Sequence, residues 1–217
     1  MFTACSMYKK LLVTACIAAI IATMGFLIWK SEQKLPTTNN QVTPSNMETE
    51  KKITFAGKEY KIGFVMPSGG TDFRSESYEW VTDGETVEAW NSLITTHKLT
   101  PTDANVPLSA EAYAQNVVSM LQGQGAMILE TSLINQDIEA LGIDPNHPPY
   151  LLVYLFSNED TTEFNMQKIT QSSDGEVISA IYAERFKNKP EAEMRAYYES
   201  KERTDKRTEL IRLSIPY

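Results

Sequence analysis

Three patterns of apolar and polar residues divide this chain. The first is Leu11–Trp29, LLVTACIAAIIATMGFLIW, an apolar run of 19 residues without a charge. As a helix rising about 1.5 Å per residue it is about 28 Å long, which matches a hydrocarbon core of about 30 Å. The second is 30–51, polar and interrupted by Pro36 and Pro44, which reads as a linker. The third begins at Lys52, where apolar positions return with strand and helix periods. Residues 53–67 predict a hairpin turning at Ala56-Gly57-Lys58, with Tyr60, Ile62 and Phe64 alternating along its second arm. Ser77–Val81 predicts a strand carrying Tyr78 and Trp80 on one side.

Thr82 and Glu85 stand at capping-box spacing, and Val87, Trp90, Leu93 and Ile94 follow at helical spacing, so 83–97 reads as a helix. Ser109 caps a second helix with Tyr113, Val117, Met120 and Leu121 as its stripe, ended by Gly123 and Gly125. Met127–Ile134 is a strand, and Gln136–Leu141 one helical turn. Tyr150–Phe156 is an apolar run expected to be a central strand covered on both faces. Asp174-Gly175, between the strand-like runs 164–170 and 176–186, signals a hairpin. Pro190 opens a last helix, running to about Leu213. The expected fold class is α+β: a mostly antiparallel sheet with helices packed on it, preceded by one N-terminal transmembrane helix. The expected divisions are 1–10 cytoplasmic, 11–29 transmembrane signal anchor, 30–51 linker and 52–217 periplasmic domain.

The anchor expectation rests on length and flanks. Lys9 and Lys10 precede the span and favour an N-inside orientation, and Trp29 sits at its far boundary. A cleaved signal peptide has a shorter apolar core and a small-x-small site. The best such site, Thr23-Met24-Gly25, would leave Phe26-Leu27-Ile28-Trp29 as the mature start. Cleavage with secretion is the alternative, and Val13-Thr14-Ala15-Cys16 gives a lipoprotein-like pattern with too short a core before it. Both cysteines, Cys5 and Cys16, lie before or inside the span, so the outer domain has neither a disulfide nor a thiol nucleophile. Export is compatible with that usage.

Tyr78-x-Trp80, then Gly84-Glu85-x-x-x-x-Trp90-x-x-Leu93-x-Thr95, followed by a long strand pair and a C-terminal helix, resembles a group of uncharacterised exported bacterial proteins. The order of elements over 53–213 is similar to the sandwich fold of the extrinsic photosystem II subunit P and its relatives. That resemblance implies a binding or assembly-assisting role rather than catalysis. It carries over no functional residue, and the N-terminal anchor departs from the photosystem subunit.

Chemistry-bearing motifs are sparse. A formal net charge of −8 argues against a nucleic-acid partner. His97, at the end of the expected helix, and His147, in a Pro-rich loop, are the two histidines, and neither has metal-ligand spacing. Ser68-Gly69-Gly70 lacks the helix start and basic residue of an anion site. Glu159, Asp160 and Glu163 lack an EF-hand's spacing. The sequence nominates no catalytic, cofactor-binding or metal-ligating residue. Tyr78, Trp80, Trp90 and Tyr113 are the candidate partner or groove surface, with core packing as the competing role. Charge is unevenly spread: Asp72–Glu184 holds 18 acidic and 3 basic residues, Arg185–Arg212 holds 9 basic and 6 acidic. The basic helix is expected to dock on the acidic body.

The expected function is a membrane-tethered, non-catalytic binding or accessory domain of the bacterial cell envelope. It is held in the inner membrane through Leu11–Trp29 and acts on an envelope protein partner. An edge strand or the Trp/Tyr-bearing sheet face is the expected contact. The alternatives are an envelope hydrolase using a carboxylate pair and a small-ligand sensor or carrier.

Overall fold

The computed structural model describes residues 51–66, 73–102, 108–135, 138–141, 143–157, 160–187, 189 and 191–217. Leu11–Trp29, both cysteines, nearly all of the linker, Ser68-Gly69-Gly70, Glu159 and Pro190 lie outside the described residues. No helix among the described residues is long and apolar enough to cross a membrane.

Eight strands form one antiparallel sheet: β1 (Lys52–Phe55), β2 (Lys58–Met66), β3 (Phe73–Thr82), β4 (Ser92–Pro101), β5 (Met127–Leu133), β6 (Tyr150–Ser157), β7 (Thr161–Gln171) and β8 (Val177–Lys187). Their spatial order is β1-β2-β3-β4-β8-β7-β6-β5. Among the described residues four helical segments accompany it: α1 (Ala110–Gly123), the single turn α2 (Ile138–Leu141), α3 (Glu191–Tyr198) and α4 (Lys201–Arg212). This overturns the α+β expectation, because one continuous eight-stranded sheet is the body of the domain and a predicted helix has become one of its inner strands.

That helix was 83–97. The chain instead turns tightly after β3 and returns as β4, paired with β3 from Phe73↔Pro101 to Val81↔Leu93. The Thr82/Glu85 pair serves a turn. Glu85 N–H donates to Thr82 O at 3.1 Å, and Gly84 takes φ 80°. The Thr82 hydroxyl donates to Glu85 Oε2 at 2.7 Å, rather than accepting from a helical N–H. The other Glu85 oxygen accepts from Asn91 N and Nδ2 at 2.9 and 2.7 Å, closing the loop before β4. Beyond it, the adjacent β-branched residues Ile94, Thr95 and Thr96 favour a strand.

Two further expectations are corrected. Tyr150–Phe156 is buried along most of its length, yet β6 is one strand in from an edge, while β4 and β8 hold the centre. The C-terminal helix is two helices, since the Ser200 side chain accepts from Arg203 N–H at 3.1 Å and starts α4 as a new N-cap. Ser109 caps α1 as its spacing predicts, accepting from Ala112 N–H at 3.1 Å.

Successive side chains alternate across the sheet, so the register assigns two faces. On the C-terminal face, Phe55, Tyr60, Trp80, Ile94, Val153, Phe164, Met166 and Tyr182 pack under Met194, Leu210 and Ile211, with Tyr217 against the same cluster. The opposite face carries two smaller clusters. One joins Leu99, Leu152, Tyr154, Ile169 and Val177 to the buried stripe of α1. The other joins Val81, Leu93 and Ala183 to Trp90 and Val87 of the turn before β4. Gly63 marks a β2 bulge under that turn, where a Cβ would lie 2.9 Å from Val81 Cγ2 and 3.2 Å from Val87 Cγ1.

Candidate functional site

The four nominated aromatics are all buried and fall into three clusters. Tyr78 and Trp80 lie on the C-terminal face, their rings 5.8 Å apart, and the Tyr217 ring is 6.3 Å from that of Tyr78. The Trp80 indole N–H donates to Thr96 Oγ1 at 2.9 Å. Trp90 is on the opposite face, with the Arg185 guanidinium 4.0 Å from its ring centroid. Tyr113 is inside the α1 cluster. The fold does not bring the four together.

Charge organises the C-terminal face. Glu130, reaching up from β5, accepts from Arg203 at 3.0 Å, Arg207 at 3.1 Å and the Ser132 hydroxyl at 2.8 Å. Burial opposes ionisation of Glu130, but Ser132, Arg207 and Arg203 outweigh it and hold the carboxyl below its usual range. Lys206 donates to Glu184 at 2.6 Å, and the Tyr197 hydroxyl donates to the other Glu184 oxygen. Buried Lys168 on β7 donates to the carbonyls of Ile211 and Leu213 at 3.1 and 2.6 Å, capping the end of α4; burial lowers its pKa to about 8. The basic C-terminal helix therefore docks on the domain's own carboxylates, as the charge distribution predicts.

The opposite face has a polar patch between α1 and the Trp90 turn. Ser77, His97 and Ser179 face one another across β3, β4 and β8. The next row is Glu79, Thr95, Ile181 and Gln167. His97 is thus in the middle of a strand and buried, not at a helix end. Its Nδ1 shares a 2.7 Å hydrogen bond with Ser77 Oγ, and burial alone lowers its pKa to about 4. Burial, and then the charge of Glu88, raises Glu79 to about 7. Gln167 Nε2 donates to Ser179 Oγ at 2.9 Å. The sequence signal for the patch is the Ser75-x-Ser77-x-Glu79 alternation, polar on the side of β3 opposite Tyr78 and Trp80.

Edges complete the inventory. The turn after β1 is tied to α4, with Ala56 N–H donating to Glu209 Oε1 at 2.7 Å. β5 pairs only with β6 among the described residues, and it carries the exposed large apolar residues Met127 and Leu133, 58% and 41% accessible. Its one charge, Glu130, is engaged by α4. Among the described residues no three of His, Cys, Asp and Glu are grouped to hold a metal. Comparison with protein-family models and with the sequences of characterised proteins gave no match.

Proposed function

We propose that the chain is a membrane-tethered, non-catalytic binding or accessory domain of the bacterial cell envelope, which takes its partner as an extra strand on the outer edge of β5. The observation that carries this reading is that edge. It is unpaired among the described residues, flanked by exposed Met127 and Leu133, and free of the lysines and prolines that usually guard an edge strand. Strand addition takes affinity from main-chain hydrogen bonds and specificity from alternate side chains. The apolar run Leu11–Trp29 and the polar linker support tethering, which raises the effective concentration of the domain beside membrane partners.

The test is photo-crosslinking in cells with the full-length protein, the crosslinker placed in turn at Met127, Leu133 and, as a control, Asp174 in the β7–β8 hairpin. One stoichiometric envelope protein captured from Met127 and Leu133, and not from Asp174, is the expected result. Recovery of the chain alone, or only as a homo-oligomer, overturns the accessory reading. Release of the chain from membranes by alkaline carbonate overturns the anchor. The polar patch favours a second reading, a small-ligand site. The carboxylate-hydrolase alternative has less behind it: Glu79 is 5% accessible, whereas Glu88, whose charge it feels, is exposed.

A further inference from the structure

Apolar packing does not account for the patch on the α1 face. Two of its atoms, His97 Nε2 and Gln167 Oε1, have no hydrogen-bond partner among the described residues, and their side chains belong to residues only 2% and 1% accessible. Their other ring and amide nitrogens, His97 Nδ1 and Gln167 Nε2, bond Ser77 and Ser179. Buried polar groups in folded proteins are almost always paired, because an orphan forfeits its hydration without replacement. β4 and β7 lie on either side of β8, about 9.6 Å apart at about 4.8 Å per spacing, and Gln167 leans back toward β4 through its bond to Ser179, the register neighbour of His97. No Lys or Arg stands in the two rows, which disfavours an anion. Thr95, half-buried, is their most accessible polar member.

We propose that this patch binds one neutral hydroxyl-bearing group, held between His97 Nε2 and Gln167 Oε1. A hydroxyl satisfies both atoms with one oxygen. It donates its proton to Gln167 Oε1, an acceptor, and accepts from His97 Nε2–H. The neutral imidazole then carries its proton on Nε2, and Ser77 is the donor to Nδ1. Burial, which lowers the proton affinity of His97, keeps the ring neutral in this arrangement. The hydroxyl comes from a polyol or sugar, or from an ordered water with the same partners. The site is independent of the β5 edge, so either reading can fail alone.

The chain has two histidines, which makes its imidazole ¹⁵N spectrum a direct readout. The full-length chain, ¹⁵N-labelled at histidine and assigned with His147→Asn, is recorded alone and during titration with glycerol and with glucose. The expected spectrum has the His97 proton on Nε2 and an Overhauser contact from it to a non-protein proton. Contact with a long-lived water identifies water as the source. A saturable shift of the Nε2 signal with either polyol identifies the polyol. Gln167→Met, which keeps length and removes the acceptor, moves the Nε2 signal in both cases. A proton on Nδ1, or an Nε2–H with neither contact and no saturable shift, overturns the proposal on the parent chain alone.

Discussion

Glu79 and His97 set opposing pH dependences of stability that conceal each other, and one substitution exposes both. Glu79 ionises at about 7 when folded, against an ordinary 4.5. His97 titrates at about 4 when folded, against an ordinary 6.5. Between pH 4.5 and 6.5 the unfolded chain therefore holds an ionised Glu79 and a protonated His97, and the folded chain holds both neutral. Folding in that window moves one proton from His97 to Glu79 and takes up none. A raised carboxyl contributes stability that is present in full below 4.5 and is lost as pH rises through about 7. A depressed imidazole contributes stability that is present above 6.5 and is lost as pH falls through about 4. Each shift is about 2.5 units, or about 3 kcal/mol at 1.36 kcal/mol per unit. The two slopes cancel across the window.

Glu79→Gln removes one of them. Its stability is expected to rise by about 1.4 kcal/mol per pH unit across the window, and above pH 7 it exceeds the parent by about 3 kcal/mol. His97→Gln is expected to fall over the same window with the opposite slope. Glu88, whose charge acts on Glu79, and the Arg185–Glu163 pair, at 2.8 Å on the same face, are unchanged in all three proteins. The assay is equilibrium urea unfolding followed by tryptophan fluorescence at half-unit pH steps. With an m-value of about 2 kcal/mol/M, the Glu79→Gln midpoint moves by about 1.4 M across the window. A Glu79→Gln profile as flat as the parent's refutes the argument, because Glu79 would then ionise alike in both states.

Three further predictions concern the docking of the C-terminal segment and the bulge. Glu130→Gln leaves Arg203 buried against a neutral amide and is expected to cost about 2–3 kcal/mol in urea unfolding, with faster amide exchange along α4. Lys168→Met removes the donor to the Ile211 and Leu213 carbonyls; it is expected to speed exchange in the last turn of α4 while leaving β3 and β4 protected, as hydrogen-exchange mass spectrometry reads directly. Gly63→Ala places a methyl 2.9 Å from Val81 and is expected to lower the thermal midpoint at a cost of about 1–3 kcal/mol, whereas Gly123→Ala, with open space around it, is neutral or better.

Local signals were legible wherever one segment supplies its own partner. Asp174-Gly175 turns the β7–β8 hairpin with Gly175 at φ 79°, and Ser109 caps α1. The misread stretch has the same grammar with a different outcome. Thr82 and Glu85 stand at capping spacing, yet their side chains bond each other, and Asn91, six residues beyond Glu85, draws the carboxylate away from any helix. Leu93 and Ile94 fit a helical stripe, but as a strand they serve opposite faces, Leu93 beside Trp90 and Ile94 in the large core. The polar patch was out of reach for another reason. Ser77, His97, Ser179 and Gln167 come from four strands, and only the pairing register aligns them.

The arrangement of covers explains why an edge, rather than a face, is the better contact to propose. The C-terminal face, where Tyr78 and Trp80 lie, is closed by α3, α4 and the terminal segment. On the opposite face, α1 and the Trp90 turn cover the apolar clusters. The β1 edge is tied to α4 through Glu209, and Lys52 opens β1, so the proposed N-terminal tether would join the sheet at that edge. β5 is seven strand spacings away, about 34 Å at about 4.8 Å each. A partner strand added there grows the sheet away from its attachment without displacing a cover. It is also met by Met127 and Leu133, apolar side chains that the described fold leaves exposed. Opening the C-terminal face instead would strip Arg203 and Lys206 from Glu130 and Glu184 and bare the aromatic core beneath, a cost that strand addition on β5 avoids.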